Sequence, residues 1–277
     1  MRIAYMSDLH LEFGNPILPK NRINADVLIL AGDIFLAYDF IDQNPKRRKL
    51  YTKFLTHIAA EYPMVIIIAG NHELYRWKEK QYDEHGSYLN ILRKEIAKYR
   101  NIRFLENEYL DIGNVRFIGA TLWTDFGNAN PLIIEQARAG MNDYHSSSYT
   151  PEHTLLWHRE SMDFIRKAVD GHKKVVMISH MAPSFLSVHP MYKGQPLNSA
   201  YATELFEYIH DHPQIIAWFH GHMHHTNDYM IGSTRILTNP YGYHQYEQNK
   251  NFFDNTYVDF DGELNVTEVS EHLSRDQ

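Results

Sequence analysis

Six short apolar runs, at residues 3–6, 27–31, 65–69, 115–119, 175–179 and 215–219, constrain this chain more than any other feature. They are rich in Val and Ile and apolar at nearly every position, the pattern expected of strands buried on both faces. Between them, segments 48–61, 88–99, 151–170 and 199–210 are expected to be helical. In the first of these, Tyr51, Phe54, Leu55 and Ile58 recur at the i, i+3, i+4, i+7 spacing of one helix face. Past about residue 230 the helical segments give way to short strand-like ones at 235–238 and 256–260. The alternation predicts an α/β fold with an antiparallel-leaning end.

The 277 residues are 44% hydrophobic and 22% charged, ordinary for a globular chain, and carry no repeat or low-complexity tract. We expect one domain over residues 1–277. Segment 121–148, rich in Asn, Gly and Ser, reads as an insertion, and the polar end from about residue 270 to 277 as a frayed tail. Segment 183–198 reads as a long loop, a common place for function. The net charge of −7 argues against non-specific coating of nucleic acid, but not against a metal-held phosphate. With no cysteine there is no disulfide framework, thiolate zinc site or cysteine nucleophile. No run approaches a membrane span. The first residues lead straight into Asp8 and His10 without the pattern of a secretory leader, so the expected location is the cytoplasm.

Five of the runs end alike. They lead into Asp8-Leu9-His10, Gly32-Asp33, Gly70-Asn71-His72-Glu73, His180, and His220-Gly221-His222-Met223-His224. Ligand sites of open α/β sheets lie beyond the carboxyl ends of the strands, so these clusters are expected to converge on one rim. Asp, His and Asn without Cys or Lys suit Mn²⁺, Fe or Zn²⁺. Asp8 and His10, two apart, face the same way in an extended segment. Singly each cluster has an ordinary reading: Gly-Asp is a turn, Glu73 a helix-start residue, and His225 a rim residue. His220 is either a partner that braces a ligand or a core histidine. Five clusters in order, each at a strand end, favour a metal site.

That order resembles the calcineurin-like metallophosphoesterase superfamily over residues 8–224, and segments 119–125, 192–198 and 239–243 are similar to small bacterial and phage members. The resemblance implies a four-layer α/β/β/α sandwich of two mixed sheets flanked by helices, with a dinuclear site at the strand ends. It implies that Asp8, His10 and His224 hold one cation, that Asn71, His180 and His222 hold the other, and that Asp33 bridges them. His72 is then the group that contacts phosphate. The implied activity is hydrolysis of a phosphoester by a hydroxide bridging two divalent cations, with Mn²⁺ expected first and Fe, Zn²⁺ or Ni²⁺ as alternatives.

Protein phosphatases of the superfamily carry an arginine before Gly-Asn-His and another after Gly-Asp. Here Ala69 fills the first place, and no Arg follows Asp33 closely. A dianionic monoester gains much from a bidentate arginine, so its absence leans toward phosphodiesters or small nucleotides. Tyr192 and Lys193, in the loop after His180, are candidate substrate contacts. Trp123, Asp125, Asn142 and Tyr144 are the polar and aromatic candidates of the insertion, and 239–244 a candidate wall. The alternatives are a phosphomonoesterase or protein phosphatase, a nuclease using Lys46-Arg47-Arg48-Lys49, a scaffold without catalysis, and a non-phosphate metallohydrolase.

Overall fold

The computed structural model describes residues 1–14, 17–41, 45–75, 85–172, 174–260 and 269–272. Its strands are, in chain order, β1 (Arg2–Met6), β2 (Val27–Ala31), β3 (Met64–Ile68), β4 (Ile102–Phe104), β5 (Glu108–Ile112), β6 (Val115–Ala120), β7 (Val175–Ser179), β8 (Ile215–Phe219), β9 (Asp228–Ile231), β10 (Thr234–Leu237), β11 (Gly242–Tyr243), β12 (Glu247–Gln248), β13 (Tyr257–Asp259) and β14 (Val269–His272). The helices are α1 (Pro45–Glu61), α2 (His85–Ile96), α3 (Phe126–Ala129), α4 (Pro131–Gly140), α5 (Pro151–Val169) and α6 (Phe206–His210).

The strands form two mixed sheets, ordered β13-β1-β2-β3-β4 and β14-β5-β6-β7-β8-β10-β9, and a β11-β12 hairpin. β1 to β4 are mutually parallel, as are β6, β7, β8 and β10, and antiparallel β13, β14 and β9 close every edge but that at β4. Side-chain alternation then sorts the core into layers. Ile3, Tyr5, Ile29 and Ile66 turn inward and pack with Phe117, Val176, Ile178 and Phe219 of the facing sheet. The alternate residues Ala4, Met6, Leu28, Leu30 and Ile67 pack outward on Tyr51, Phe54 and Ile58 of α1 and on Leu92 and Ile96 of α2. On the far side, Ile118, Met177, Ile215 and Trp218 pack against Met162, Ile165 and Val169 of α5. This is the expected α/β/β/α sandwich, and it explains the unbroken apolar runs: each central strand has a sheet on one face and helices on the other.

Two segments depart from expectation. Segment 199–210 is not one helix but a 3₁₀ turn, Pro196–Ala200, followed by α6. The backbone between them is used elsewhere: Ala202 bridges Ala182, Thr203 N donates to Ala182 O at 3.0 Å, and Leu205 N to Pro183 O at 2.9 Å. This ties the segment to the loop after His180 and removes donors an unbroken helix would need. At the C-terminus, Ser270 to His272 pair antiparallel with β5 rather than fraying, while 273–277 lie outside the described residues. Segment 121–148 carries α3, α4 and the 3₁₀ turn Asn142–Tyr144, gathered on Phe126, Ile133, Ala137, Met141 and Ala200.

Candidate metal centre

Backbone hydrogen bonds stitch the loop after β1 to that after β2, and the loop after β7 to that after β8, while side chains tie in the loop after β3. Asp8 N donates to Gly32 O at 3.0 Å, His10 N to Asp33 O at 3.0 Å, and Gly221 N to His180 O at 3.1 Å. Asp8, His10, Asp33, His222 and His224 all adopt positive φ, from 45° to 66°. This left-handed region disfavours residues with a Cβ and is characteristic of strained functional positions. Buried Glu73 braces the turn beneath them: its carboxylate accepts from Asp33 N at 2.9 Å, Ile34 N at 2.7 Å, Phe35 N at 3.2 Å and Gly70 N at 2.7 Å. Gly70 is needed for closeness, because a Cβ there would lie 2.2 Å from Asp33 Oδ1.

The side chains meet. Asp8, His10 and His224 place three ligand atoms within 4.8 Å of one another, as do Asp33, His180 and His222, and as do His10, Asp33 and His72. His180 Nε2 lies 2.9 Å from Asn71 Oδ1 and 3.3 Å from Asp33 Oδ2, while His224 Nε2 lies 3.4 Å from Asp8 Oδ1.

The chemistry of this set fits divalent cations. His222 Nε2 is buried with no hydrogen-bond partner among the described residues. His10 Nε2 and His224 Nε2 face each other at 3.2 Å, a pairing of like atoms that a shared cation would satisfy. The outer nitrogens are fixed as metal-binding histidines require: His10 Nδ1 lies 3.1 Å from Glu12 Oε1 and His180 Nδ1 2.9 Å from Ala31 O.

The groups of the cluster shift one another's proton affinity. Burial pushes the Asp8 carboxyl up, but the hydrogen bond and charge of His224 outweigh it and hold it at about 2. Burial opposes charge on His224 too, yet its hydrogen bonds to Asp8 and Glu247 raise it to about 10. Against the same penalty, Asp33 raises His180 to about 9. His222 has no such partner, and burial with the charge of His180 lowers it to about 3. Cation binding at such a site displaces protons from the imidazoles.

The family model of the calcineurin-like phosphoesterases matches residues 1–226. The chain belongs to this family. It is a phosphoester-hydrolysing enzyme, of a family that binds divalent metals. A curated relative, an uncharacterized protein of Acanthamoeba polyphaga mimivirus, is 29% identical over 290 residues, covering 94% of this chain and 98% of the relative. A solved phosphopantetheinyl hydrolase from Mycobacterium tuberculosis has a similar fold, with a TM-score of 0.63 at 16% identity over 87% of this chain and 89% of that one. Among the described residues no helix is long and apolar enough to cross a membrane.

A cavity of about 430 Å³ opens beside the phosphoesterase cluster, touching Asp33, Asn71, His222 and His224. Of the two expected substrate contacts, Tyr192 lines it, whereas Lys193 lines a neighbouring groove with Gly194 and Pro196. Of the insertion residues, Asn142 faces the cavity. Trp123 instead packs among Tyr149 and Trp157, with ring centroids 5.3 and 5.8 Å away, Asp125 caps α3, and the Tyr144 hydroxyl is 3.1 Å from Thr154 Oγ1. The 239–244 wall is present: Tyr241 N and Gly242 N bond to Ser7 O and Asp8 O, each at 3.0 Å, which brings Tyr243 to the cavity. His220 turns away from the cluster, its Nε2 2.8 Å from buried Ser187 Oγ and its Nδ1 3.0 Å from Gly221 O.

Three contributors escaped the sequence reading. Glu12 Oε1 accepts from both His10 Nδ1 and His72 Nδ1, at 3.1 and 2.8 Å. Its place two residues past His10, continuing the Asp8-His10 alternation, was the available signal. Glu73 does stand in the first turn of a helix, the 3₁₀ turn His72–Leu74, but it is also a buried bracket. Asp143, buried against the cavity, had no signal in sequence.

Proposed function

We propose that this phosphoesterase hydrolyses phosphodiesters or small nucleotides within a single catalytic domain, using two divalent cations, Mn²⁺ foremost. Asp8, His10 and His224 would hold one, Asn71, His180 and His222 the other, with Asp33 shared. When bound, the cations supply Lewis acidity toward the phosphoryl oxygens and toward water. Oxygen and nitrogen donors without thiolate support Mn²⁺ over softer-site metals.

The protein's own residues do the positioning. Glu12 orients both His10 and His72. Burial opposes charge on His72, but Asp33 and the Glu12 carboxylate raise its pKa and favour the imidazolium. With Nδ1 committed to Glu12, His72 Nε2 faces the Tyr243 hydroxyl, 3.3 Å away, and an imidazolium there has its second N–H on Nε2. There it serves as a donor to phosphoryl or leaving oxygen as charge develops. The rings of Tyr243 and Tyr201, which pack on His224 and His222, wall the approach and limit water.

The observation that carries this reading is the meeting of Asp33 with ligand atoms from four other strand-end loops. The diester preference rests on the cavity wall, where no Lys or Arg appears among the described residues. A basic clamp would be expected for a dianionic monoester. The test is metal analysis with hydrolysis of bis-p-nitrophenyl phosphate against p-nitrophenyl phosphate, cyclic nucleotides and DNA, with Mn²⁺, Ni²⁺, Zn²⁺ and Mg²⁺. Asp33→Asn should lose metal. His72→Ala should keep it and lower kcat by roughly 10²- to 10⁴-fold. A His72→Ala enzyme with unchanged turnover on several esters refutes the assigned role.

A further inference from the structure

Asp143 sits in the 3₁₀ turn Asn142–Tyr144 at the edge of the cavity, only 4% exposed. Ser147 Oγ donates to its backbone carbonyl and ties the turn down. Tyr75 hydrogen-bonds to the carboxyl, yet Oδ1 is buried with no hydrogen-bond partner among the described residues. A buried acceptor without a donor is costly and needs a reason. Asp143 borders the same space as Asp33, Asn71 and His222. Beyond the cluster the wall carries the amides Asn142, Gln195 and Asn198, tyrosines such as Tyr192, the carboxylate Glu247 and apolar Val188, Leu197 and Met223. Its two carboxylates away from the cluster, Asp143 and Glu247, accept hydrogen bonds and repel a second anion.

Resting on the phosphodiesterase reading above, we propose that Asp143 is a specificity-determining residue whose free carboxyl oxygen accepts a hydrogen bond from an amine or hydroxyl on the substrate's non-reacting arm. The substrate class is then a phosphodiester whose second ester group carries a donor and no negative charge. The reacting phosphoryl group belongs to the metal cluster, and the arm runs along the cavity to Asp143. A second phosphate on that arm meets Asp143 and Glu247 and is rejected. Specificity built on a buried polar group is strong, because the analogue without the matching group leaves it unpaired.

The test uses the full-length Mn²⁺-loaded protein and p-nitrophenyl phosphodiesters with propyl, 4-hydroxybutyl, 4-aminobutyl and 6-aminohexyl arms, so the leaving group is constant and no arm hydroxyl is placed to attack the phosphorus. The wild type should prefer its best donor-bearing arm over propyl by about tenfold or more in kcat/KM, chiefly through KM, the scale of a hydrogen bond to a charged group. Asp143→Ala should erase most of that preference with bound Mn²⁺ unchanged. Asp143→Asn, which keeps shape and an acceptor oxygen, should retain hydroxyl over propyl and lose amine over hydroxyl, and it decides the matter should the alanine variant not fold. No donor preference in the wild type, or an equal loss on every ester in both variants, overturns the assignment. If the wild type cleaves none of the esters, the phosphodiesterase reading fails separately. Calorimetry of phosphoethanolamine against ethyl phosphate then decides: tighter amine binding that Asp143→Ala removes sustains the role, and equal binding ends it.

Discussion

Replacing Gly70 by alanine tests whether the site depends on the contact between the β2 and β3 loops. The added Cβ would lie 2.2 Å from Asp33 Oδ1, 2.7 Å from Asp33 N and 2.8 Å from His180 Cε1. These are roughly 1 Å or more inside ordinary contact distance. Asp33 N cannot yield freely, because Glu73 holds it and Gly70 N together. The strain therefore falls on the Asp33 carboxylate and the His180 ring. A displacement of about 1 Å at a catalytic constellation costs on the order of 10²-fold in rate, and overpacking costs roughly 1–3 kcal/mol in stability. Gly119→Ala is the matched control. Its Cβ would lie 2.5 Å from Leu105 Cβ and 2.8 Å from Ile68 Cγ2, a comparable clash with no ligand nearby. Denaturant unfolding, bound metal by mass spectrometry, and bis-p-nitrophenyl phosphate turnover should show both variants destabilised and only Gly70→Ala depleted of metal and slow. Normal metal and turnover in Gly70→Ala, or equal metal loss in both, would refute the reasoning.

Glu73→Gln should lose metal and about 2–4 kcal/mol of stability, since the amide cannot accept from four backbone N–H groups as the carboxylate does; unchanged thermal unfolding would discount the bracket. His224→Gly should be more stable than His224→Ala by about 1 kcal/mol, because φ is 46° and only glycine adopts that region without strain. Both lack the ring, so equal midpoints would argue against strain there. Burial pushes the Glu106 carboxyl from 4.5 up to about 7 against its Thr121 hydrogen bonds. The folded state then binds the extra proton between those values, so stability is fully present below pH 4.5 and is lost as pH rises through 7. The loss is on the order of 3 kcal/mol. Glu106→Gln should flatten this part of the unfolding free energy between pH 5 and 8, and an identical pH profile would rule out Glu106 as its source.

The strands and the metal-site candidates were legible because burial writes itself locally. A central strand covered by Phe117 and Val176 on one side and by Tyr51 and Phe54 on the other must be apolar throughout, as 27–31 and 65–69 are. The polar residues that end such runs stand out against them. The edge strands β4 and β9, and β5 next to an edge, are short or half-exposed and carry no comparable pattern. The 199–210 segment was misread because its helical spacing competes with a bridge to Ala182, a partner that only folding brings near.

By itself the amino-acid order determined the α/β layering and the residue types at five strand ends. Both depend on near neighbours, through burial period and spacing. Tertiary structure alone decided that Glu73 braces the Asp33 turn, that Glu12 serves two histidines, that five of the seven candidate ligands take left-handed backbone, and that Asp143 keeps an unpaired oxygen at the cavity wall. Each of these depends on groups far apart in the chain or on a backbone held against its local preference, and neither is encoded in any short window of sequence.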